Sequence, residues 1–246
     1  MSTAPIRSAS AVFRPLRSGS LVDQITDRIL DAAESGLLQP GQRLPNEAEF
    51  AAALGVSALT IREALSRLRS EKVVVTTRGR TGGSFISPAL APSTARAEDR
   101  LRDLTRLEIA EMAAHFEALA VGCARAAARR AGAADVVALR AITVIDPEVS
   151  DLSVAWRQVE TEFIVEVATI ARIARLSRAL MSVQSEYGVL TLLPNEDSDY
   201  RHQVAGLRND LTDRLEARDE SSAASTMRGL IAANTTWLLT RRAELM

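Results

Sequence analysis

Cysteine, glycine, proline and aromatic residues are all scarce in this chain. The single cysteine, Cys123, excludes an internal disulfide framework and a cysteine-rich zinc module, and it favours a reducing compartment. Glycine (12), proline (8) and aromatic residues (4%) are too few for an all-β protein of many short strands. The longest near-apolar run, residues 118–124, is far shorter than the roughly 20 residues of a membrane helix. Because the N-terminus also lacks an apolar secretory segment, we expect a cytoplasmic protein without a membrane partner.

Catalytic motifs are missing as well. The sequence contains no GxSxG, HExxH or Walker pattern and no Cys–His constellation. The glycine-rich run 79–83 lies between two predicted strands, so it does not open a helix that could bind a dinucleotide. We therefore expect no catalytic residue and no cofactor, which argues against an enzyme.

Alanine, leucine and arginine dominate the 246 residues, which predicts a mainly α protein of one or two domains. The 30 basic and 31 acidic residues nearly balance. The balance is uneven along the chain, because residues 12–88 hold ten basic and eight acidic residues, whereas residues 89–246 carry a net charge of −4. The modest positive charge of the N-terminal third favours a polyanionic partner there.

The N-terminal third has the pattern of a winged helix-turn-helix. Apolar periodicity predicts helices over about 20–34, 46–54 and 57–69, with Gly55 in the turn before the third helix and Ser57 as its N-cap. Predicted strands at 73–77 and 84–86 enclose a glycine-rich turn that carries Arg78 and Arg80. Two short helices joined by a glycine turn and followed by a hairpin are typical of a DNA-binding domain.

The side chains expected to contact DNA lie just ahead of the last two of these helices, on the third helix and on the hairpin. The N-terminal residues of such a helix reach phosphates and base edges in the major groove, and arginines on a slender hairpin can enter the minor groove. The predicted DNA-binding residues are Asn46, Ser57, Leu59, Thr60, Arg62, Arg67, Arg78, Gly79 and Arg80. A protein-interaction domain whose arginines form a solvated face is the alternative.

Four motifs carry a family resemblance: LLQPGQRLPNE at 37–47, LGVS at 54–57, TIREAL at 60–65 and RGRTGGSFI at 78–86. In this order they resemble the GntR family of winged-helix transcription regulators, in particular its FadR-like branch. The resemblance implies a homodimer that represses transcription by binding an inverted-repeat operator in double-stranded DNA. Ala48 and Ala58 stand where that family has DNA-contacting arginines, and Arg62 keeps a third such arginine.

The prolines of residues 88–94 mark a linker. We therefore expect a flexible N-terminus (1–12), a winged-helix domain (13–87), the linker, and a helical effector-binding and dimerisation domain (95–246). Beyond the linker, periodicity predicts six helices, over about 95–130, 134–145, 152–170, 175–190, 198–217 and 220–242. The expected fold class is mainly α, with a winged helix-turn-helix followed by an all-α helical bundle.

The C-terminal bundle resembles the FCD ligand-binding domain of the same branch, which implies a small-molecule effector such as a carboxylate. Many FCD domains hold a metal ion with one aspartate and three histidines, and those positions fall here at Glu160, Ile164, about Arg208 and about Leu230. Because none of the four is histidine, we expect no metal at this position. The effector-binding candidates are Arg125, Arg157, Glu160, Tyr187 and Arg208, although each fits a surface or dimer-interface role equally well.

Two further alternatives stay open. Asp197, Asp199 and His202 could form an unorthodox metal site, but acidic residues are also expected as caps where a helix begins. A protein without the family's metal ligands could also bind DNA independently of any effector, with the helical domain serving only dimerisation.

Overall fold

A computed structural model describes residues 20–79, 82–90, 93–145 and 152–246. The predicted flexible N-terminus and Arg80 lie outside these ranges. Within them, the mainly α fold is confirmed, with a winged helix-turn-helix followed by a helical bundle, and each part has its own hydrophobic core. No helix of the described ranges has both the length and the apolar character needed to cross a membrane.

The N-terminal part begins with three helices and ends with a hairpin. Its elements are α1 (Leu21–Glu34), α2 (Glu47–Leu54), α3 (Ala58–Ser70), β1 (Val74–Thr77) and β2 (Gly83–Ile86). Gly55 adopts φ +67°, the left-handed conformation that ends α2 and turns the chain into α3. The strands pair antiparallel, with Val74 opposite Ile86 and Thr77 opposite Gly83. The core lies between α1, α3 and the hairpin, so the N-terminal turn of α3 is left facing solvent.

The C-terminal part is built around one long helix. Its helices are α4 (Thr94–Asp103), α5 (Arg106–Arg130), α6 (Ala133–Ile142), α7 (Leu152–Ile170), α8 (Ala174–Tyr187), α9 (Ser198–Glu216) and α10 (Glu220–Glu244), with short 3₁₀ turns at Leu190–Leu192 and Pro194–Glu196. The buried face of α5 consists largely of alanines and Cys123, and these small side chains let α7, α8 and α10 pack closely around it.

The prediction of one continuous helix from about 95 to 130 is wrong. The chain breaks at Leu104, whose ψ of 138° is extended, and α5 begins with Thr105 as its N-cap. The Thr105 hydroxyl accepts the Glu108 backbone N–H at 3.1 Å, and the Glu108 carboxylate accepts the Thr105 N–H at 2.7 Å. This capping box starts a new helix, and its Thr-x-x-Glu pattern is visible in the sequence.

Candidate nucleic-acid interface and central cavity

The first turn of α3 presents a row of exposed side chains. The Ser57 hydroxyl caps the helix by accepting the Thr60 N–H at 3.1 Å, and the two hydroxyl oxygens lie 2.8 Å apart. Leu59 is 61% exposed, unusually high for a leucine and suited to contact with a thymine methyl group or a sugar. The helix is held from its other side by Ile61, Ala64, Leu65 and Leu68, which are buried. Its N-terminal turn is therefore free to enter a groove.

Arg62 is fixed in place by Glu47. Its Nε and Nη2 atoms both donate to the same carboxylate oxygen of Glu47, at 3.1 and 3.0 Å, and the arginine side chain stays 62% exposed. Glu47 is the first residue of α2, which Asn46 caps by accepting the N–H groups of Ala48 and Glu49. The predicted DNA-binding residues Asn46 and Arg62 thus both contact the first turn of α2, Asn46 as its cap and Arg62 through Glu47.

Arg67 does not join this group. It lies in the last turn of α3, where it hydrogen-bonds Asp23 of α1 and Glu71. Both partners are carboxylates, so the guanidinium links α3 to α1, and its side chain stays 48% exposed. Arg67 as a DNA contact stays a prediction.

The hairpin forms a slender, cationic wing. Arg78 and Gly79 are exposed at its tip, and Gly79 has φ +113°, which a side chain would strain. Arg43, which precedes α2, donates through Nη2 to the carbonyl oxygen of Gly82 at 2.9 Å. Sequence reasoning missed Arg43, although it lies within the LLQPGQRLPNE motif. It places a further exposed cation beside the wing.

Ala48 and Ala58, which replace the family's arginines, are both exposed. Ala58 is the first residue of α3, and Ala48 is the second residue of α2. The two substitutions therefore lower the positive charge of this surface without affecting the core.

A small cavity of about 20 Å³ lies at the centre of the C-terminal bundle. It brings together three of the predicted effector residues, Glu160 of α7, Tyr187 of α8 and Arg208 of α9. Two predicted residues are elsewhere: Arg125 is exposed on α5, and Arg157 is buried beneath the N-terminal domain. We therefore do not retain Arg125 and Arg157 as direct effector ligands.

Sequence reasoning missed the polar residues that complete the cavity wall. The Tyr187 hydroxyl donates to Asn234 Oδ1 at 2.6 Å, and Asn234 Nδ2 donates to the Tyr200 hydroxyl at 3.2 Å. Burial raises the pKa of both tyrosines above the usual value, so their hydroxyls are neutral at pH 7. Tyr200 and Asn234 lie on α9 and α10, and polar residues buried on such helices have no periodicity that separates them from exposed ones.

Arg208 is a buried cation with incomplete pairing. It is 2% exposed, and its Nη2 lies 3.9 Å from the Glu160 carboxylate, too far for a hydrogen bond. Its Nη1 and the Oδ1 of neighbouring Asn195 have no hydrogen-bond partner among the described residues. Desolvation raises the pKa of Glu160, and the nearby positive charge of Arg208 opposes that rise. Arg208, which lines the cavity, therefore carries one unmatched cationic donor.

The residues at the FCD metal positions converge but do not suit a metal ion. Glu160, Ile164, Arg208 and Leu230 all line the cavity. Only Glu160 can serve as a ligand, and the guanidinium of Arg208 already places a positive charge beside it. Across the described ranges, no group of three or more His, Cys, Asp and Glu side chains could hold a metal.

The acidic residues near His202 have a structural role. Asp197 caps α9 by accepting the N–H of Asp199 at 2.8 Å and that of Tyr200 at 3.2 Å, and it also accepts the Trp237 indole N–H. The His202 ring bonds the Ser198 carbonyl of its own helix at 2.7 Å. These contacts favour the capping interpretation over a metal site.

Comparison with known proteins gives two family matches. A model described as bacterial regulatory proteins, gntR family, matches residues 21–85, and the FCD domain model matches residues 108–233. The chain is 33% identical over 186 residues to a Mycobacterium gastri protein named as HTH-type transcriptional regulator RmpR, covering 74% of this chain and 66% of that protein. It is 39% identical over 64 residues to the HTH-type transcriptional repressor NagR of Bacillus subtilis, covering 26% of each.

Among solved structures, the chain is similar to E. coli McbR/YncC, with 17% identity and a TM-score of 0.47 over 91% of this chain and 99% of that one. The chain spans 66% of the length of the Mycobacterium gastri protein and 26% of that of NagR.

Proposed function

We propose that this chain, which belongs to the GntR family of bacterial regulatory proteins and has an FCD domain, is a transcription regulator, and more narrowly a cytoplasmic homodimeric repressor controlled by a small carboxylate. The observation that carries DNA binding is the exposed unit of α3, in which Arg62 is held by Glu47 beside Leu59 and Thr60. A protein that presents one such helix per subunit binds one half-site per subunit, so its operator is an inverted repeat.

Selection from a random duplex library with the purified full-length chain tests this proposal. We expect enrichment of an inverted repeat, and light scattering should give the mass of a dimer. Wild-type protein that enriches no sequence and binds duplexes without preference would contradict it. Arg62→Ala should weaken binding to the enriched repeat, and Arg69→Ala, which changes an arginine at the far end of the same helix, is its matched control.

The proposed effector site is the central cavity, where Arg208 has an unpaired donor. A carboxylate oxygen could accept from Nη1. The surrounding apolar wall includes Phe116, Phe163, Ile164 and Leu230. These features favour a small carboxylate with an apolar part.

The cavity holds about one water molecule in its present form, so a metabolite has to open it. Thermal-shift screening with a panel of small hydroxy-, keto- and amino-carboxylates tests the site, because a ligand that binds the native state raises the melting temperature. We expect the shift in the wild type and in Arg214→Met, whose arginine is exposed on the same helix, but not in Arg208→Met. An equal shift in both variants would place the ligand elsewhere.

The small size of the cavity also supports a second candidate function. In that case the helical domain only dimerises the protein, and operator binding is independent of metabolites. A panel in which no carboxylate changes either the melting temperature or operator affinity would favour it.

A further inference from the structure

The loop that follows α1 is enclosed by the C-terminal bundle. Thr161 of α7 donates its hydroxyl hydrogen to the carbonyl oxygen of Ser35 at 2.8 Å, and both residues are buried. On the other side, Gly188, which follows α8, lies against Ser35. A Cβ added to Gly188 would lie 3.0 Å from the Ser35 Cβ, so a residue larger than glycine would crowd Ser35 there. The bundle thus encloses Ser35 from two sides.

Arg157, one turn earlier on α7, covers the next residue of this loop. Gly36 adopts φ +78°, and a Cβ there would come within 2.6 Å of Nη1 and 2.7 Å of Nη2 of Arg157. Arg157 is 4% exposed, and two of its nitrogens, Nε and Nη1, have no hydrogen-bond partner among the described residues. Burial lowers its pKa to about 10, which leaves it charged at pH 7.

Carboxylates of both domains interact with the charge of Arg157. Glu160 in the cavity wall and Glu34 at the end of α1 both stabilise the charged guanidinium. Arg157 and Glu160 are three residues apart on one helix, and Thr161 follows directly. The same helical turn therefore lines the cavity with Glu160 and holds Ser35 and Gly36 with its neighbours.

We propose that this contact, formed by Arg157 and Thr161 against Ser35 and Gly36 and here called the α7 clamp, transmits the state of the cavity to the DNA-binding domain. The regulatory part of this inference rests on the proposed function. A ligand larger than one water molecule has to displace part of the wall, and α7 supplies Glu160, Phe163 and Ile164 to it. Helix displacements in such transitions are about 1–2 Å.

A displacement of that size is enough to release the clamp. The 2.8 Å hydrogen bond between Thr161 and Ser35 would lengthen beyond about 3.5 Å, where it no longer counts as one. The DNA-binding domain would then change its orientation relative to the bundle. In a dimer, that changes the separation of the two recognition helices, on which binding to two half-sites depends.

Paired variants test the clamp itself. Thr161→Val removes its hydrogen bond, and the control Thr169→Val removes a hydroxyl that bonds only its own helix at Val165. Gly36→Ala forces a Cβ against Arg157, and the control Gly41→Ala has the same φ of +78° with nothing within 4 Å of the added atom. Hydrogen exchange should accelerate at the Gly36 and Leu38 amides at least fivefold more in each test variant than in its control. Equal rates within each pair would overturn the clamp.

Regulation is tested by the ratio of affinities for the selected inverted repeat and for a single half-site. Thr161→Val should change this ratio by about fivefold or more and leave the affinity for the half-site as in the wild type. The control Thr169→Val should leave both the ratio and the half-site affinity unchanged. Tyr187→Phe, which removes a cavity hydrogen bond, should change the ratio in the wild type but not in the Thr161→Val background. Unchanged ratios, or effects that simply add, would refute transmission. Failure of the proposed function would look different, since the wild type would then not prefer an operator.

Discussion

Replacing Arg62 with alanine separates the cost to folding from the cost to DNA binding. Both hydrogen bonds from Arg62 go to one oxygen of Glu47, and both side chains are exposed, at 62% and 39%. An ion pair of this kind contributes about 0–1 kcal/mol to stability. The buried face of α3 does not include Arg62, so the helix should keep its position. We expect a melting temperature within a few degrees of the wild type.

The effect on operator binding should be much larger. Nε and Nη2 are occupied by Glu47, which leaves the Nη1 hydrogens to reach a guanine or two phosphates. Loss of such a contact costs about 1–3 kcal/mol, or about a 5- to 150-fold weaker complex. Fluorescence anisotropy with the selected operator and a scrambled duplex gives both affinities. Operator affinity equal to that of the wild type in Arg62→Ala would refute the proposed orientation of α3 on DNA.

Glu47→Gln is the informative companion, because it removes the charge that positions Arg62 but keeps the arginine. The DNA-facing surface gains one positive charge, so affinity for the scrambled duplex should rise and its salt dependence should steepen by about one charge. Preference for the operator over the scrambled duplex should fall, since Arg62 is no longer held in one orientation. A rise in preference would show that Glu47 only masks Arg62.

Four other results are expected. Arg78→Ala combined with Arg80→Ala should weaken binding to operator and random duplex alike and reduce the salt slope by up to about two charges per subunit, whereas loss of operator binding alone would mean that the wing reads bases. Ala58→Arg should strengthen binding to both duplexes and steepen the slope by about one charge, and an unchanged slope would contradict exposure of this position to phosphate. Elemental analysis of purified protein should find no stoichiometric zinc, nickel or manganese, and about one ion per chain near Glu160 would overturn that expectation. Burial raises the pKa of Asp31 to about 6, so the folded state takes up a proton before the unfolded state does; resistance to urea should increase as pH falls from about 6 to 4, and Asp31→Asn should reduce this increase.

Local signals were enough to predict most elements, because most of the described helices begin at a side-chain cap that a few adjacent residues encode. Ser57 as an N-cap and Gly55 in a left-handed turn fix the start of α3, and the β-branched run at 73–77 fixes the first strand. The break at Thr105 was missed for a different reason. Apolar periodicity continues across residues 95–130 and so predicts one helix. In the structure Leu104 is extended, and the capping box at Thr105 begins a second helix.

The candidate sites were harder to predict because they depend on pairs that are distant in sequence. Arg62 and Arg67 look alike on α3, yet one meets Glu47 beside the groove-facing turn and the other meets Asp23, 44 residues earlier. Likewise, charge alone does not separate Arg208, which is buried in the cavity, from Arg125, which is exposed. Only the tertiary packing decides which arginines are available to a ligand.

Helix α1 connects the two sites mechanically. Its first turn carries Asp23, which holds Arg67 at the end of α3, and its last turn leads into Ser35, which the α7 clamp holds. Asp23 and Ser35 are 12 residues apart, about 18 Å along the helix, and a helix of this length moves as one body. A change at Ser35 therefore reaches the recognition helix without bending the hydrophobic core between them. The ion pair of Asp23 and Arg67 thus couples α3 to α1.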